Sequence, residues 1–383
     1  MGKKKIRWAI IGNGFARQTV LPCLSRIDGL AVVALCARHP MRAQQTAEEF
    51  NIPEIFTDYR LMISGTKPDL VMITTPPRLH REISLFALEQ GCHVLCEKPT
   101  AMNAQEAREM WEAARNAPGR IHLIDHELRL DPSHQEIKRR IQEGWLGSLR
   151  QLSWTQRSEG MASPDRPWSW WNSREAGGGL LGALGSHAVD LFRHWAGEFS
   201  SVWGMLQTQT RQRHDPSTNL PRPVDSDDAF TAVLKMAEGS DENVRDATAR
   251  FDMNSASPGP WMMRIEVIGT SGRLLLDDRG MLWGTRKAAD GWEKIETKED
   301  LPAEDLNVIP DTVWARAFLR SARLIQEGMK RSETKIAGLS TFEDGWRNQT
   351  VLDAIRLSSE AGTWIDLPPE EELPHLPAGQ DLC

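Results

Sequence analysis

The 383-residue sequence has little of several features that mark particular protein classes. Its 53 acidic residues outnumber its 46 basic ones, and the formal net charge of -7 argues against a nucleic-acid-binding surface. The five cysteines are sparse and lack metal-type spacing, so we expect free thiols, no bound metal and a reducing, cytoplasmic location. No apolar run approaches the roughly 20 residues that cross a bilayer, so we expect no membrane association.

Tyrosine is also nearly absent, with one residue, whereas tryptophan occurs 15 times. Most of these tryptophans belong in a core or an interface, although this number also suits a carbohydrate pocket. Trp168, Trp170 and Trp171 could stack on a sugar or on nicotinamide, and they could equally pack as a lid or an interface. Of these three tryptophans, we predict that Trp171 contacts the cofactor.

The first third of the chain alternates strand-like and helix-like segments. Apolar, β-branched runs predict strands at 6–12, 30–37, 69–75, 93–97 and 121–128. Helical patterns separate them, which favours a doubly wound parallel sheet with its ligand beyond the carboxyl ends of the strands. We therefore predict an α/β protein that begins with a Rossmann dinucleotide-binding domain over residues 1–128.

Beyond about residue 130, strand-like runs follow one another with turn signals and few helices. This pattern predicts an α+β domain over residues 129–367, with a large, open, mostly antiparallel sheet. The Pro-rich stretch 214–228 predicts a loop. Residues 368–383, rich in Pro and Glu, predict an extended or disordered tail.

The segment GNGFAR follows the first predicted strand. Gly12 permits a tight turn, and Gly14 lets the backbone approach a pyrophosphate at a helix N-terminus. Arg17 stands where G-x-G-x-x-G has its third glycine, so either the helix and strand pack a little farther apart or Ala16 makes the close contact. With Phe15, these residues are candidates for cofactor binding.

The ends of the next two strands also suit a cofactor. The second strand lacks the acid that would hold an adenine ribose, and Arg38 is placed to pair with a 2′-phosphate. This favours NADP(H) over NAD(H). The third strand is followed by TTPPRLH, which adds Thr75, Pro76, Pro77 and His80 as candidates at the same edge.

Two further segments carry the candidate chemistry. Glu97 and Lys98 follow the fourth strand, at the edge where nicotinamide would lie, so both are candidates for cofactor binding. The Lys98 ammonium can also bind a substrate oxygen and stabilise a developing alkoxide. His187 has an unperturbed pKa of roughly 6.5, which suits a general base, and Asp190 lies on the same helix face. Alternatively, His187 only packs or caps its helix.

The motifs GNGFAR, TPPRLH, EKP, HELR, GGG…GSHAVD and TFEDGWRNQTVLDAI together resemble the Gfo/Idh/MocA oxidoreductases over nearly the whole chain. The resemblance implies NAD(P)-dependent hydride transfer to or from a sugar or cyclitol, with Lys98 and His187 as catalytic residues. It also implies that His126 contacts the ligand and that the open sheet builds a dimer or tetramer. Our candidates for substrate binding are Lys98, His187 and Asp190, the last because it lies three residues after His187 on the same helix face, where it can orient the ring.

One departure from the family pattern affects this expectation. Many members carry D-x-x-x-H on one helix face, but here the span begins with Ala183 and ends with His187. Alanine cannot take a proton or orient an imidazole. An alternative is therefore a member of this fold that cleaves glycosides through transient oxidation, or that only binds nucleotide or serves as a scaffold.

Overall fold

The computed structural model describes residues 5–163, 165–237, 244 and 246–368. Of the predicted tail at 368–383, residues 369–383 lie outside the described residues. The described strands are β1 (Ile6–Ile11), β2 (Leu30–Cys36), β3 (Glu54–Phe56), β4 (Leu70–Ile73), β5 (His93–Cys96), β6 (His122–Ile124), β7 (Leu149–Arg157), β8 (Phe199–Gln207), β9 (Gln212–His214), β10 (Pro221–Pro223), β11 (Ala229–Met236), β12 (Thr248–Asn254), β13 (Met262–Gly269), β14 (Gly272–Leu276), β15 (Leu282–Arg286), β16 (Glu293–Ile295), β17 (Ser340–Thr341) and β18 (Ile365–Asp366).

The described α-helices are α1 (Leu21–Leu24), α2 (Pro40–Phe50), α3 (Tyr59–Thr66), α4 (His80–Glu89), α5 (Ala104–Arg115), α6 (Pro132–Gln142), α7 (Ser186–Ala196), α8 (Ala303–Leu306), α9 (Val313–Lys330) and α10 (Phe342–Ala361). Two π-helical segments, Ala16–Val20 and Leu181–Gly185, precede α1 and α7. None of the helices in the described ranges is long and apolar enough to span a membrane.

The first sheet has the strand order β17-β6-β5-β4-β1-β2-β3. Strands β1 to β6 are parallel, and β17 joins β6 in antiparallel orientation. All four residues of β4 are buried, because helices cover both faces of the sheet. This arrangement confirms the predicted doubly wound parallel sheet.

The second sheet has nine strands in the order β16-β15-β14-β13-β7-β12-β11-β8-β18. Among its described strands, only β7 and β12 pair in parallel, so the predicted mostly antiparallel sheet is confirmed. Inward-facing residues alternate with half-exposed ones along β12. Its core contains Phe192 of α7, Phe230 and Phe251, which places α7 against the inner face.

The structure departs from the predicted elements at several places, and it also contains β16, α8 and β18, for which no element was predicted. The strand predicted over 121–128 ends at Ile124, because the chain turns away and forms a 3₁₀ turn, Glu127–Leu130. The stretch 214–228, predicted as a loop, contributes strands of the small hairpin β9–β10. The short strand β3 and helix α3 lie in a segment for which no element was predicted.

Helix α9 packs into the core of the first domain, although it follows the second sheet in the chain. Ala315, Phe318 and Leu319 lie in one buried cluster with Trp8 and Ile10 of β1. The predicted boundary at residue 128 stays a prediction, but the chain clearly returns to the first domain at α9.

Candidate active site

A cleft of about 1810 Å³ lies between the carboxyl edge of the first sheet and the first segments of the second domain. The predicted site residues in its wall are Gly12, Gly14, Phe15, Arg17, Arg38, Thr75, Pro76, Pro77, Glu97, Lys98 and Trp171. The opposite wall includes Ala183 and Leu184, which come just before α7. The two distant parts of the sequence that carry the candidate motifs therefore face one cleft.

The first glycine turn has the shape that a dinucleotide requires. Gly12 has a φ of +109°, and an added Cβ would lie 2.5 Å from the carbonyl oxygen of Thr74. At Gly14 an added Cβ would meet no atom within 4 Å, so that position faces the open cleft. The buried Asn13 Oδ1 and Thr75 Oγ1 have no hydrogen-bond partner in the described part of the chain. These residues fit a phosphate and ribose that would approach the backbone here.

The basic side chains at the end of β2 mark the other end of the cleft. Arg38, His39 and Arg42 line the wall there, and Arg38 Nη2 lies 3.3 Å from His39 Nε2. Arg17 also faces the cleft but pairs with Glu49 at 2.8 Å, and both side chains are about half exposed. Arg38 is therefore better placed than Arg17 to bind an added phosphate.

Lys98 crosses the cleft toward the helix that carries His187. Its Nζ donates a hydrogen bond to the carbonyl oxygen of Ala183, with an N–O distance of 2.7 Å. Ala183 belongs to the π-helical segment, where Ser186 N–H reaches back to the Leu181 carbonyl. The hydrogen bond fixes the ammonium one helical turn before His187.

His187 is neutral and has no hydrogen-bond partner among the described residues. The residue is 1 % exposed, and neither ring nitrogen has a hydrogen-bond partner within the described ranges. Burial, together with the positive charges of Lys98, His126 and His134, holds the pKa of His187 well below 6.5. A neutral imidazole with two free nitrogens is suited to accept a proton from a substrate hydroxyl.

Three buried carboxyl groups lie beside Lys98. Cys96 and Ile124 are paired across β5 and β6, so Glu97 and Asp125 leave the sheet side by side. Asp125 and Glu97 interact through their carboxyl groups, and the nearby Glu127 completes the cluster.

Burial raises the pKa of Glu97 to about 7 and that of Glu127 to about 8, while Lys98 opposes both shifts. Burial and the neighbouring carboxyl groups also raise the pKa of Asp125 well above 3.8. The cluster therefore retains protons at neutral pH beside Lys98. Across the described residues, no group of three or more His, Cys, Asp or Glu side chains is arranged to hold a metal ion.

The expectation that Asp190 binds substrate stays a prediction, and in the structure its side chain forms an ion pair with Arg129. Arg129 Nε and Nη2 donate to the two Asp190 oxygens at 2.7 and 2.6 Å, and Asp190 is 1 % exposed. His126 Nδ1 lies 3.2 Å from Asp190 Oδ1, and its Nε2 lies 3.0 Å from Asn348 Nδ2. His126 therefore belongs to this buried network. Among the described residues that line the cleft, His126 is not included.

Two other predicted cofactor residues are buried within the first domain. His80 begins α4 as expected, but both of its ring nitrogens contact backbone oxygens, Pro99 O at 3.0 Å and Thr75 O at 2.7 Å. His80 therefore connects the loop at Thr75 with the loop at Pro99, and both loops form the edge of the cleft. Ala16 is completely buried under the π-helical turn, where it makes the close contact expected in place of a third glycine.

The tryptophans before α7 form the outer rim of the cleft. The rings of Trp170 and Trp171 have centroids 5.0 Å apart, and the Trp171 carbonyl accepts a hydrogen bond from Ser226. Arg222 of the β9–β10 hairpin lies over Trp168, with its guanidinium carbon 3.3 Å from the ring centroid. The hairpin therefore packs on this rim, a contact that the composition of 214–228 did not indicate.

The sequence patterns also missed Trp314, the second residue of α9. Its ring centroid lies 4.7 Å from that of His187, and Lys98 Nζ lies 5.7 Å from the ring. In the sequence it is one apolar residue at the start of an amphipathic helix. Its place at the site depends on the return of α9 to the first domain.

Comparison with known proteins agrees with this architecture. The family model described as "Oxidoreductase family, NAD-binding Rossmann fold" matches residues 6–124, and that of the "GFO/IDH/MocA C-terminal domain" matches residues 134–275. Human glucose-fructose oxidoreductase domain-containing protein 2 is 30% identical, over 98% of this chain and 96% of its own.

Levoglucosan dehydrogenase of Pseudarthrobacter phenanthrenivorans is 27% identical, over 86% of this chain and 88% of its own. A solved structure of levoglucosan dehydrogenase with NADH and L-sorbose superposes with a TM-score of 0.84. At 23% identity, over 95% of this chain and 99% of that one, the likeness concerns the fold.

Proposed function

Because the chain belongs to the Gfo/Idh/MocA family of NAD-binding oxidoreductases, we propose that it oxidises or reduces a sugar, sugar derivative or cyclitol, with NADP(H) preferred. The observation that carries the proposal is the approach of Lys98 to the helix of His187. Its Nζ lies 2.7 Å from the Ala183 carbonyl, inside the cleft that begins at the Gly12 turn. The relative levoglucosan dehydrogenase is named for a sugar substrate, which supports a sugar as the substrate class of this chain.

In the oxidative direction, bound nicotinamide supplies the hydride acceptor. Lys98 donates a hydrogen bond from Nζ to the reacting oxygen and stabilises its negative charge. A neutral ring nitrogen of His187 accepts the hydroxyl proton, with no carboxylate at position 183 to orient the ring. The ring is held instead by packing against Trp314 and against His126, whose centroid lies 5.9 Å away.

The preference for NADP(H) rests on the charge of the cleft at the end of β2. Arg38 and Arg42 line this part of the cleft. Among the described residues at 36–45, no Asp or Glu lines the cleft. A guanidinium there can pair with a 2′-phosphate, whereas a carboxylate would repel it. The solved structure of levoglucosan dehydrogenase contains NADH, so we propose that this chain differs from it in the nucleotide that it prefers.

A titration and a turnover assay test the proposal. We expect the purified chain to bind NADPH more tightly than NADH, and Arg38→Ala to weaken NADPH binding by about 10- to 100-fold with NADH unchanged. D-glucose, D-fructose, levoglucosan and myo-inositol should then be screened through the absorbance of the reduced nicotinamide.

Lys98→Ala should lower turnover by about 100-fold or more without loss of nucleotide affinity. Full turnover in Lys98→Ala would contradict the mechanism. Nucleotide that copurifies with the protein and never shows a net change in absorbance would favour non-redox chemistry instead.

We also propose a cytoplasmic homo-oligomer. Cys23, Cys36, Cys92 and Cys96 are free and buried, which suits a reducing compartment. Trp261 is 49 % exposed at the start of β13, where the outer face of the second sheet can bury against a second copy. Light scattering tests this point, and a clean monomer would contradict it.

A further inference from the structure

Trp314 is attached to the first domain but lies against the second. Its neighbour Ala315 is completely buried in the first domain, where the Ala315 carbonyl accepts a hydrogen bond from Cys23 at 3.3 Å. The Trp314 ring packs against the core cluster of the second domain, beside His187. The indole therefore spans the cleft between the domains at its inner end.

Among the described residues, Trp314 forms part of the cleft wall, whereas His187 lies behind that wall. The two ring centroids are 4.7 Å apart with planes inclined at 45°. Lys98 Nζ lies 5.7 Å from the indole centroid, so a molecule that reaches the ammonium also meets the indole. Trp314 is thus a residue of the cleft wall that packs directly on His187.

We propose that Trp314 is a substrate-contacting residue that determines specificity: its indole takes the apolar C–H face of a sugar ring beside Lys98 and controls the access of water and substrate to His187. The proposal rests on the function proposed above and adds to it the residue that selects a ring-shaped substrate.

Two physical reasons support this role. An indole offers a flat apolar face with little conformational freedom, which suits the C–H face of a sugar better than a flexible side chain does. The unpaired ring nitrogens of His187 cost free energy while they remain buried, so a substrate hydroxyl that hydrogen-bonds one of them would remove part of this cost. The anchoring of α9 in the first domain fixes the indole beside that position.

The experiment compares Trp314→Ala and Trp314→Phe with Trp364→Ala. Trp364 is 42 % exposed and contacts Lys235, away from the cleft, so its loss controls for removal of an indole. We expect Trp314→Ala to raise the KM for the sugar by about tenfold or more, with the KM for the nucleotide changed by less than about twofold. Trp314→Phe should lie between this variant and the unaltered chain, and Trp364→Ala should match the unaltered chain.

A second measurement needs neither substrate nor cofactor. NMR of the cofactor-free protein with isotope-labelled histidine follows the titration of His187, assigned through His187→Gln. Lys98, His126 and His134 face His187 and stay in place, so a rise of its pKa toward 6.5 in Trp314→Ala reports the entry of water.

An unchanged sugar KM together with an unchanged His187 titration would overturn the proposal. If the unaltered chain turns over no sugar, the proposed function fails, but the titration still decides the shielding role of Trp314. In that case a raised pKa in Trp314→Ala supports the role, and an unchanged pKa overturns it.

Discussion

Replacement of Gly12 by alanine should both destabilise the protein and abolish nucleotide binding. Its φ of +109° costs an L-residue about 1–2 kcal/mol. The new Cβ would also lie 2.5 Å from the Thr74 carbonyl oxygen, and such overpacking typically costs about 1–3 kcal/mol. The sum is about 2–5 kcal/mol, which corresponds to a fall in Tm of roughly 4–20 °C for the first domain.

The matched control is Gly14→Ala, because an added Cβ there meets nothing within 4 Å. This variant should unfold at the temperature of the unaltered chain but bind NADPH about tenfold or more weakly, since the methyl group occupies the space of the pyrophosphate. Differential scanning calorimetry and a fluorescence titration measure the two properties. A Gly12→Ala variant with an unchanged Tm, or a Gly14→Ala variant with full nucleotide affinity, would refute the reasoning.

Two further predictions concern buried charge. Asp190→Ala leaves the Arg129 guanidinium with only Asp344, at 3.2 Å, so urea unfolding should show a loss of about 3 kcal/mol; a loss below about 1 kcal/mol would mean that the ion pair is not a structural support. Glu127 has a pKa raised from 4.5 to about 8, so between these values the folded chain binds a proton that the unfolded chain has lost. Stability should therefore fall as the pH rises through this window and level off above it, and Glu127→Gln should flatten the decline in Tm; parallel curves for the two proteins would contradict the assignment.

Much of the fold follows from local patterns. Continuous β-branched runs indicated the parallel strands, and strand-like runs beyond about residue 130 indicated the second sheet, in which β7 spans 149–157 and β13 spans 262–269. The three-residue strand β3 was missed because its residues are largely exposed and carry no periodic signal. The strand predicted over 121–128 was too long because the acidic pair Asp125 and Glu127 leaves the sheet to meet Glu97.

The candidate site was predictable where it depends on sequence-local turns, and less so where it depends on packing. The glycine turn and the EKP segment lie in the cleft wall as expected, since strand ends of a parallel sheet meet at one edge. The ion pair of Asp190 was not foreseen, because its spacing from His187 shows a shared helix face but not the Arg129 that faces it. Trp314 was missed because no local signal shows that α9 crosses back to the first domain.

The path of α9 has a consequence for any attempt to dissect the molecule. A fragment that ends at residue 128 would lack Phe318 and Leu319, and it would leave the apolar surface around Trp8 and Val20 in contact with water. The nucleotide-binding half is thus not a portable module that can be excised or fused at a single junction. A shortened or chimeric chain must supply a helix equivalent to 313–330, because this half of the molecule is assembled from two separate lengths of polypeptide.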